Sequence, residues 1–346
     1  MPAASTHPPA RARLEDVALL AGVSPATASR VLTGSAQVKP ETRRQVERAI
    51  SELGYVRNRA ARSGGRKAGS IALVVFEDSL RMFSDPFFAR LMRGVGGALA
   101  ATDVQPVMLS VRSAAECRRC ARYLRDGHVD GAVFVSLHGQ MPVDVRGLGI
   151  PVVFVGRPVR DADAASYVDA DNIGGAEAAV RHALAAGRRA VATIAGPPDM
   201  AVGLDRLRGY HKALSDLDAL GPERADLIAY GDFSAASAEH AVYRLLDRRP
   251  DVDAVFATSD LMATGVLRAL RRTGRRVPGD VAVIGFDDAP LARHTSPPLT
   301  TVRQPVELLG ARAVDELLAL IGESERGRNE PRQSVFATEL IVRASG

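Results

Sequence analysis

The chain has 346 residues, 46% hydrophobic and 25% charged, with two cysteines and a formal net charge of +5. That length exceeds one ordinary core, so two or three globular domains are expected. No apolar run approaches the ~18 residues of a membrane span, and the Pro-, Ala- and Ser-rich start lacks the apolar core of an export signal. With so few cysteines, a reducing cytoplasm is the expected compartment.

Charge is unevenly spread. Residues 1–69 hold 12 Lys and Arg against 5 Asp and Glu, a net of +7, whereas residues 70–346 hold 33 against 35. A cationic head on a slightly acidic remainder is the footprint of phosphate binding. Residues 1–12 read as a disordered arm and residues 13–57 as a compact helical head.

Three helices are expected in the head. The first covers Glu15 to Ala21, with Val17, Ala18 and Ala21 on one narrow apolar face. Gly22 ends it by accepting a left-handed turn. The second follows Val23, with Ser24 as N-cap and Pro25 at the first helical position. Its inward face is Ala28, Val31 and Leu32. Pro25, Ala26, Thr27, Ser29 and Arg30 are left outward. Two short helices about a sharp corner form a helix-turn-helix, whose second helix enters the DNA major groove. Small residues permit close approach, the hydroxyls of Ser24, Thr27 and Ser29 suit phosphate, and Arg30 suits a guanine edge. A third helix spans Pro40 to Leu53, with Val46, Ala49, Ile50 and Leu53 inward and Lys39 a poor N-cap. The competing reading is a small helical bundle with no DNA role; the concentrated charge favours DNA.

Leu14-Glu15-Asp16-Val17-Ala18, Gly22-Val23-Ser24, Thr27-Ala28-Ser29-Arg30-Val31-Leu32, Glu41-Thr42-Arg43 and Leu53-Gly54-Tyr55 together resemble the head of the LacI/GalR family of bacterial transcription regulators. Asn58-Arg59-Ala60-Ala61-Arg62-Ser63 resembles that family's hinge helix, which orders on DNA and enters the minor groove. The resemblance adds Tyr55, Asn58, Arg59 and Arg62 to the expected DNA contacts. The chain then departs from the family. Gly64-Gly65 stand where a leucine usually wedges between bases, and Arg57 replaces a usual proline. Two glycines cost a helix about 1 kcal/mol each relative to alanine, so residues 58–69 read as a linker that orders less readily.

Residues 70–346 alternate strands and helices. Strands are expected at Ile71 to Phe76, Pro106 to Val111, Val129 to Val135 and Ile150 to Val155. Four more are Ala190 to Ile194, Leu227 to Tyr230, Ala254 to Ala257 and Val281 to Phe286. A last strand is expected at Ser334 to Val342, after Thr300-Thr301-Val302 and the helix that follows them. Helices are expected at Phe87 to Ala101, Ala114 to Leu124, Gly174 to Ala185, Leu204 to Leu214, Ala235 to Leu246, Met262 to Arg272 and Val306 to Ile321. Such alternation specifies α/β architecture, with parallel sheets covered on both faces. Two sets suggest two lobes enclosing a cleft beyond the strands' carboxyl ends.

This region also resembles the LacI/GalR body through Asp85-Pro86-Phe87-Phe88, Val129-Asp130-Gly131, Asp171-Asn172, Arg206 before Gly209-Tyr210, Ser259-Asp260, Gly285-Phe286-Asp287-Asp288 and Pro298-Leu299-Thr300-Thr301-Val302. The resemblance implies a two-lobed body like a type I periplasmic-binding protein, with discontinuous lobes of roughly 70–156 plus 288–322 and 157–287 plus 323–346. Asp85, Phe87, Arg206, Ser259, Asp260 and Asp287 are the expected effector contacts. Carboxylates and a guanidinium suit a polyhydroxylated or acidic small molecule. By resemblance, Arg206 and Asp287 hold the positions that most often meet sugars. Phe87 reads equally as a stacking ring or as packing under the cleft. Asp260 reads equally as a contact or as a helix cap, and Asp287-Asp288 could form a solvated turn. The stretch Glu77 to Ser84 is longer than the family's loop, which leaves Glu77, Asp78 and Asp85 competing to face the ligand.

Cys117-Arg118-Arg119-Cys120 could support thiol chemistry, but reads as part of a surface helix. No metal-ligand spacing, P-loop or Ser/His/Asp grouping is evident, and Gly94-Val95-Gly96-Gly97 lies inside a predicted helix rather than after a strand. The expectation is a non-enzymatic, cofactor-free, cytoplasmic regulator. It would bind double-stranded operator DNA as a homodimer, with a sugar-like effector and no membrane partner. A solute-binding transport protein is the alternative, disfavoured by the basic head.

Overall fold

The computed structural model describes residues 14–32, 38–53, 69–139, 144–215, 222–324 and 330–346. In the head, α1 is Leu14–Leu20, α2 Pro25–Leu32 and α3 Pro40–Leu53. Val17, Ala18, Ala28, Val31, Val46 and Ala49 form one buried cluster, edged by Ala21, Val23 and Ile50. Gly22, at φ +64°, makes the corner, and Val23 N–H closes it on the Ala18 carbonyl at 2.9 Å. Ser24 Oγ accepts from Thr27 N–H at 3.2 Å, the capping bond its position implies. Leu53 departs from expectation: it is exposed, because the inward stripe of α3 ends at Ile50 and Leu53 lies one turn farther on. Expected helix Glu15 to Ala21 begins and ends one residue earlier. Tyr55, Asn58, Arg59, Arg62 and the Gly64-Gly65 linker lie outside the described residues.

The body opens with β1 (Ser70–Val75), α4 (Ser79–Ser84), α5 (Pro86–Leu99), β2 (Gln105–Ser110), α6 (Ala114–Arg125), β3 (Gly131–Val135), β4 (Val152–Val155) and β5 (Ser166–Ala170). It continues with α7 (Asn172–Ala185), β6 (Val191–Ala195), α8 (Ala201–Ser215), β7 (Ile228–Tyr230), α9 (Ala235–Arg248) and β8 (Ala254–Ala257). Last come α10 (Asp260–Arg272), β9 (Ala282–Asp287), β10 (Thr300–Arg303), α11 (Val306–Ser324), β11 (Gln333–Phe336) and β12 (Glu339–Ile341). Two six-stranded sheets result, ordered β11-β5-β4-β3-β1-β2 and β12-β10-β9-β8-β6-β7. Among the described residues every strand pairing is parallel except β10 with β12.

Parallel strands buried on both faces need continuous apolar runs, and Ile71 to Val75 and Val152 to Val155 provide them. The first sheet packs on α5 and α11 through Leu73, Val133, Leu91, Val95, Val314 and Leu317. The second is covered on one face by α9 and α10, and on the other by α7 and α8.

The sheets divide the chain differently from the expected lobe bounds. Residues 166–170 and 333–336 pair in the first sheet, and 300–303 in the second. The chain therefore crosses between sheets after β5, after β10 and after β11. The single strand expected over Ser334 to Val342 is two short strands, β11 and β12, one in each sheet. Neither α4 nor β5 is among the expected elements.

Helices α5 and α11 meet at glycine. A Cβ on Gly94 would lie 1.9 Å from the Glu307 carbonyl oxygen, whereas one on Gly97 of the same helix would meet nothing within 4 Å. Gly94→Ala should destabilise the body by about 1–3 kcal/mol through overpacking against backbone. Gly97→Ala should be neutral or stabilising by up to about 1 kcal/mol, alanine being the better helix former. Melting temperatures of the two variants check this; equal values would contradict the close approach.

Candidate effector site

Arg206 extends from α8 toward the carboxyl ends of the second sheet's strands and is buried. Its helix can come close because Gly209 faces the Ile173 carbonyl, 2.3 Å from where a Cβ would stand. Nε donates to Asn172 Oδ1 at 2.9 Å, and Nη1 to the Thr258 carbonyl at 2.5 Å. The guanidinium carbon sits 3.7 Å from the Phe286 ring centroid, in cation–π contact. Asp287 Oδ1 is 3.5 Å from Nη1. Burial pulls Arg206 below its ordinary pKa, and Asp287, Asp169, Asp260 and Asp85 pull it back.

Asp287 ends β9 with φ at +118°, a backbone conformation L side chains rarely adopt. Several contacts hold it there. Its carbonyl accepts from Arg90 Nη1 at 2.9 Å, and Oδ1 accepts from Gln304 Nε2 at 2.6 Å. Arg90 is itself clamped by Glu307 through two bonds of 2.9 Å. The neighbour Asp288 is not a solvated turn residue: it is buried between Arg303 and Arg343. Burial lifts the Asp287 carboxyl to about 6; Arg206 and Gln304 oppose the shift and Asp85 reinforces it.

Asp85 lies at the junction of α4 and α5, where it caps α5 by accepting from Phe87 N–H at 2.9 Å. Its pKa is raised by burial, and it senses Arg206 on one side and Arg81 and Glu77 on the other. Asp85, Arg206 and Asp287 are thus brought within electrostatic reach of one another.

The remaining three expected contacts are placed otherwise. Ser259 is the N-cap of α10, accepting from Met262 N–H at 3.1 Å, so the capping role allowed to Asp260 belongs to its neighbour. Asp260 is fully buried and accepts from Thr301 Oγ1 at 2.5 Å and Ala289 N–H at 2.7 Å. Oδ2 thus holds the turn that follows Asp287, and Oδ1 ties α10 to β10. Burial and the nearby Asp287 push the Asp260 carboxyl well above its usual value. Phe87 packs at the edge of the first sheet's core, edge-on to Phe88 at 5.3 Å. Of its two readings, packing is the one these contacts fit.

Several contributors were not singled out as contacts from sequence. Asp169, at the end of the unexpected β5, accepts from Asn172 Nδ2 at 3.0 Å, orienting the amide that holds Arg206. Asp205 Oδ2 accepts from Arg157 Nη2 at 2.5 Å, tying a loop after β4 to α8. Burial raises Asp169, the other carboxylate facing Arg157. Asn172 and Gln304 stood within or beside the family landmarks, but their targets were not legible there. Cys117 and Cys120 are pushed away from thiolate by burial, Cys120 to about 11. Among the described residues no group of three or more His, Cys, Asp or Glu could hold a metal, and no helix is long and apolar enough to cross a membrane.

The raised Asp287 pKa makes a signed prediction. The usual value is 3.8 and the folded value about 6, so the folded state binds this proton more tightly. The contribution is fully present below about pH 4 and is lost as pH rises through 6. The melting temperature of the native protein relative to Asp287→Asn should therefore fall between pH 4 and 6. A difference that stays level or climbs would contradict the shift.

Residues 13–58 match the bacterial regulatory proteins of the lacI family, and residues 180–346 match a periplasmic binding protein-like domain. The HTH-type transcriptional regulator CelR of Thermobifida fusca is 48% identical over 97% of this chain and 98% of its own. A solved transcriptional regulator CelR–cellobiose complex superposes with a TM-score of 0.77, at 45% identity over 97% of this chain and all of that one. A lac repressor dimer bound to operator and an anti-inducer gives a TM-score of 0.67, at 26% identity over 97% of this chain and 99% of that one.

Proposed function

Because the chain belongs to the LacI family of bacterial transcription regulators, we propose that it is a repressor whose grip on DNA is released by a sugar held at Arg206 and Asp287. The observation that carries this reading is the convergence of Arg206, Asp287 and Asp85 at one end of two parallel sheets. A fixed guanidinium beside carboxylates both donates to and accepts from hydroxyl groups. Cellobiose is the first candidate, because the CelR complex contains it.

On the DNA side, α2 carries the contacts. Pro25, Ala26 and Arg30 are exposed, with Thr27 and Ser29 half-buried beside them. Arg30 reads a base edge; Ser24, Thr27 and Ser29 meet phosphates. Tyr55, Asn58, Arg59 and Arg62 extend this set along the segment joining head to body. The working unit is a homodimer on a near-palindromic operator, as protein two-fold symmetry requires and as in the lac repressor dimer bound to operator. It acts on the nucleoid, in the cytoplasm of a bacterium. Sugar favours one lobe arrangement and DNA the other, so the two ligands are coupled through their differential affinities. The family is one of regulators rather than enzymes, and no catalytic role is assigned.

Selection from random duplexes, followed by fluorescence anisotropy with added cellobiose, tests the whole reading. A near-palindromic sequence should emerge and cellobiose should release it. Asp287→Ala should retain operator affinity but lose the release; a variant that still responds would remove Asp287 from the site. Arg30→Ala should relax preference at one base pair per half-site, at a cost of roughly 1–3 kcal/mol. Unaltered preference would falsify that role.

A further inference from the structure

Arg90 stands on α5, and its guanidinium reaches the turn that ends β9. Nη1 donates to the Asp287 carbonyl at 2.9 Å and, more distantly, to the Asp288 carbonyl at 3.5 Å. Nη2 reaches the Gln304 carbonyl, just after β10, at 3.4 Å. Nε and Nη2 also fork onto the carboxylate of Glu307, in the first turn of α11. One planar group thus joins a helix covering the first sheet to a strand end of the second.

The two sides of this joint are anchored separately. On one side, Arg90 is bound into α5 and α11. A Cβ on Gly94 would strike the Glu307 carbonyl, and one on Gly310 the Leu91 carbonyl, so the two helices touch backbone to backbone around the ion pair. The Arg90 guanidinium holds the Glu307 carboxyl below its usual pKa, so the clamp stays charged at neutral pH. On the other side, the turn is fixed to the second sheet. Asp260 accepts from Ala289 N–H, and Arg303 and Arg343 both donate to the Asp288 carboxylate. Asp287 itself has a partner at each end: its carboxylate lies by Arg206, and its carbonyl is held by Arg90. With φ held at +118°, a ligand that displaces the carboxylate must load the Arg90 bond.

We propose that Arg90, clamped by Glu307, is the residue through which an effector on Asp287 acts upon α5 and the first sheet. It touches no ligand; it is a positioning residue that acts through the Asp287 carbonyl. This rests on the sugar-effector reading above. The effector biases the turn, the Arg90 bond carries that bias to α5, and α5 and α11 respond as one body. Coupling requires such a contact, one that differs in strength between the two lobe arrangements.

The test is a coupling factor, the ratio of operator dissociation constants with and without saturating cellobiose, read by fluorescence anisotropy on the full-length protein. A residue that merely shapes the sugar site scales sugar affinity on free and operator-bound protein alike, and leaves this factor unmoved. Cellobiose should weaken operator binding by the native protein at least ten-fold. Arg90→Met and Glu307→Ala, each shown folded by its melting curve and saturated with cellobiose, should lower the factor at least three-fold. Should either fail to fold, Arg90→Lys, which keeps the charge but not the fork, takes its place with the same expectation. A smaller loss in either variant would overturn the role of Arg90 and leave the sugar-effector reading standing. A native protein whose operator affinity ignores cellobiose would overturn both.

Discussion

The body is arranged around one cation that water cannot reach. A buried guanidinium is costly by several kcal/mol unless its donors and charge are answered. Arg206 is answered from several directions: the Asn172 amide, the Thr258 carbonyl, the Phe286 ring and the Asp287 carboxylate. Asn172 follows a strand of the first sheet, whereas Thr258, Phe286 and Asp287 stand at strand ends of the second. Satisfying this one group fixes the loops of both sheets relative to it. Loss of any partner would leave a charge or donor stranded, so the arrangement resists small distortions rather than yielding to them.

Behind these contacts stand residues that position the site rather than line it. Asp169 orients Asn172, Asp260 holds the turn after β9, and Arg90 fixes the Asp287 carbonyl with Glu307 fixing Arg90. The strained backbone at Asp287 persists because this surrounding over-determines it. Preorganisation of this kind lowers the ordering cost when a ligand arrives. It also explains why carboxylates crowd the site while few of them remain open to it.

Much of this was legible in the residues. The head follows from Gly22, Ser24 and Pro25 together with apolar spacing, and most strands follow from unbroken apolar runs. What was missed has physical reasons. Helix α4 is six residues long and leaves Leu80 and Phe83 exposed, so it lacks an amphipathic stripe. Strand β5 carries Ser166 and Asp169, which interrupt its apolar run but are buried by specific hydrogen bonds. The Ser334 to Val342 stretch has the right composition for one strand; only pairing to β5 and β10 divides it. Likewise Ser259 and Asp260 both have side chains suited to capping, and tertiary contacts at Ala289 and Thr301 decide between them. Which carboxylates a strand end offers can be read locally; which are already spent depends on partners distant in sequence.

The three crossings between sheets have a mechanical consequence. They run side by side: Asp171 N–H donates to the Phe336 carbonyl, Thr338 Oγ1 to the Asp171 carbonyl, and Arg303 pairs with Glu339. Three straps bound together permit little twist or slide between the halves they join, and leave one soft coordinate, a swing about their common line. An occupant of the cleft can then speak only through an angle. Molecules of different girth would set different angles, and a graded response to chemically related sugars would need no additional moving part.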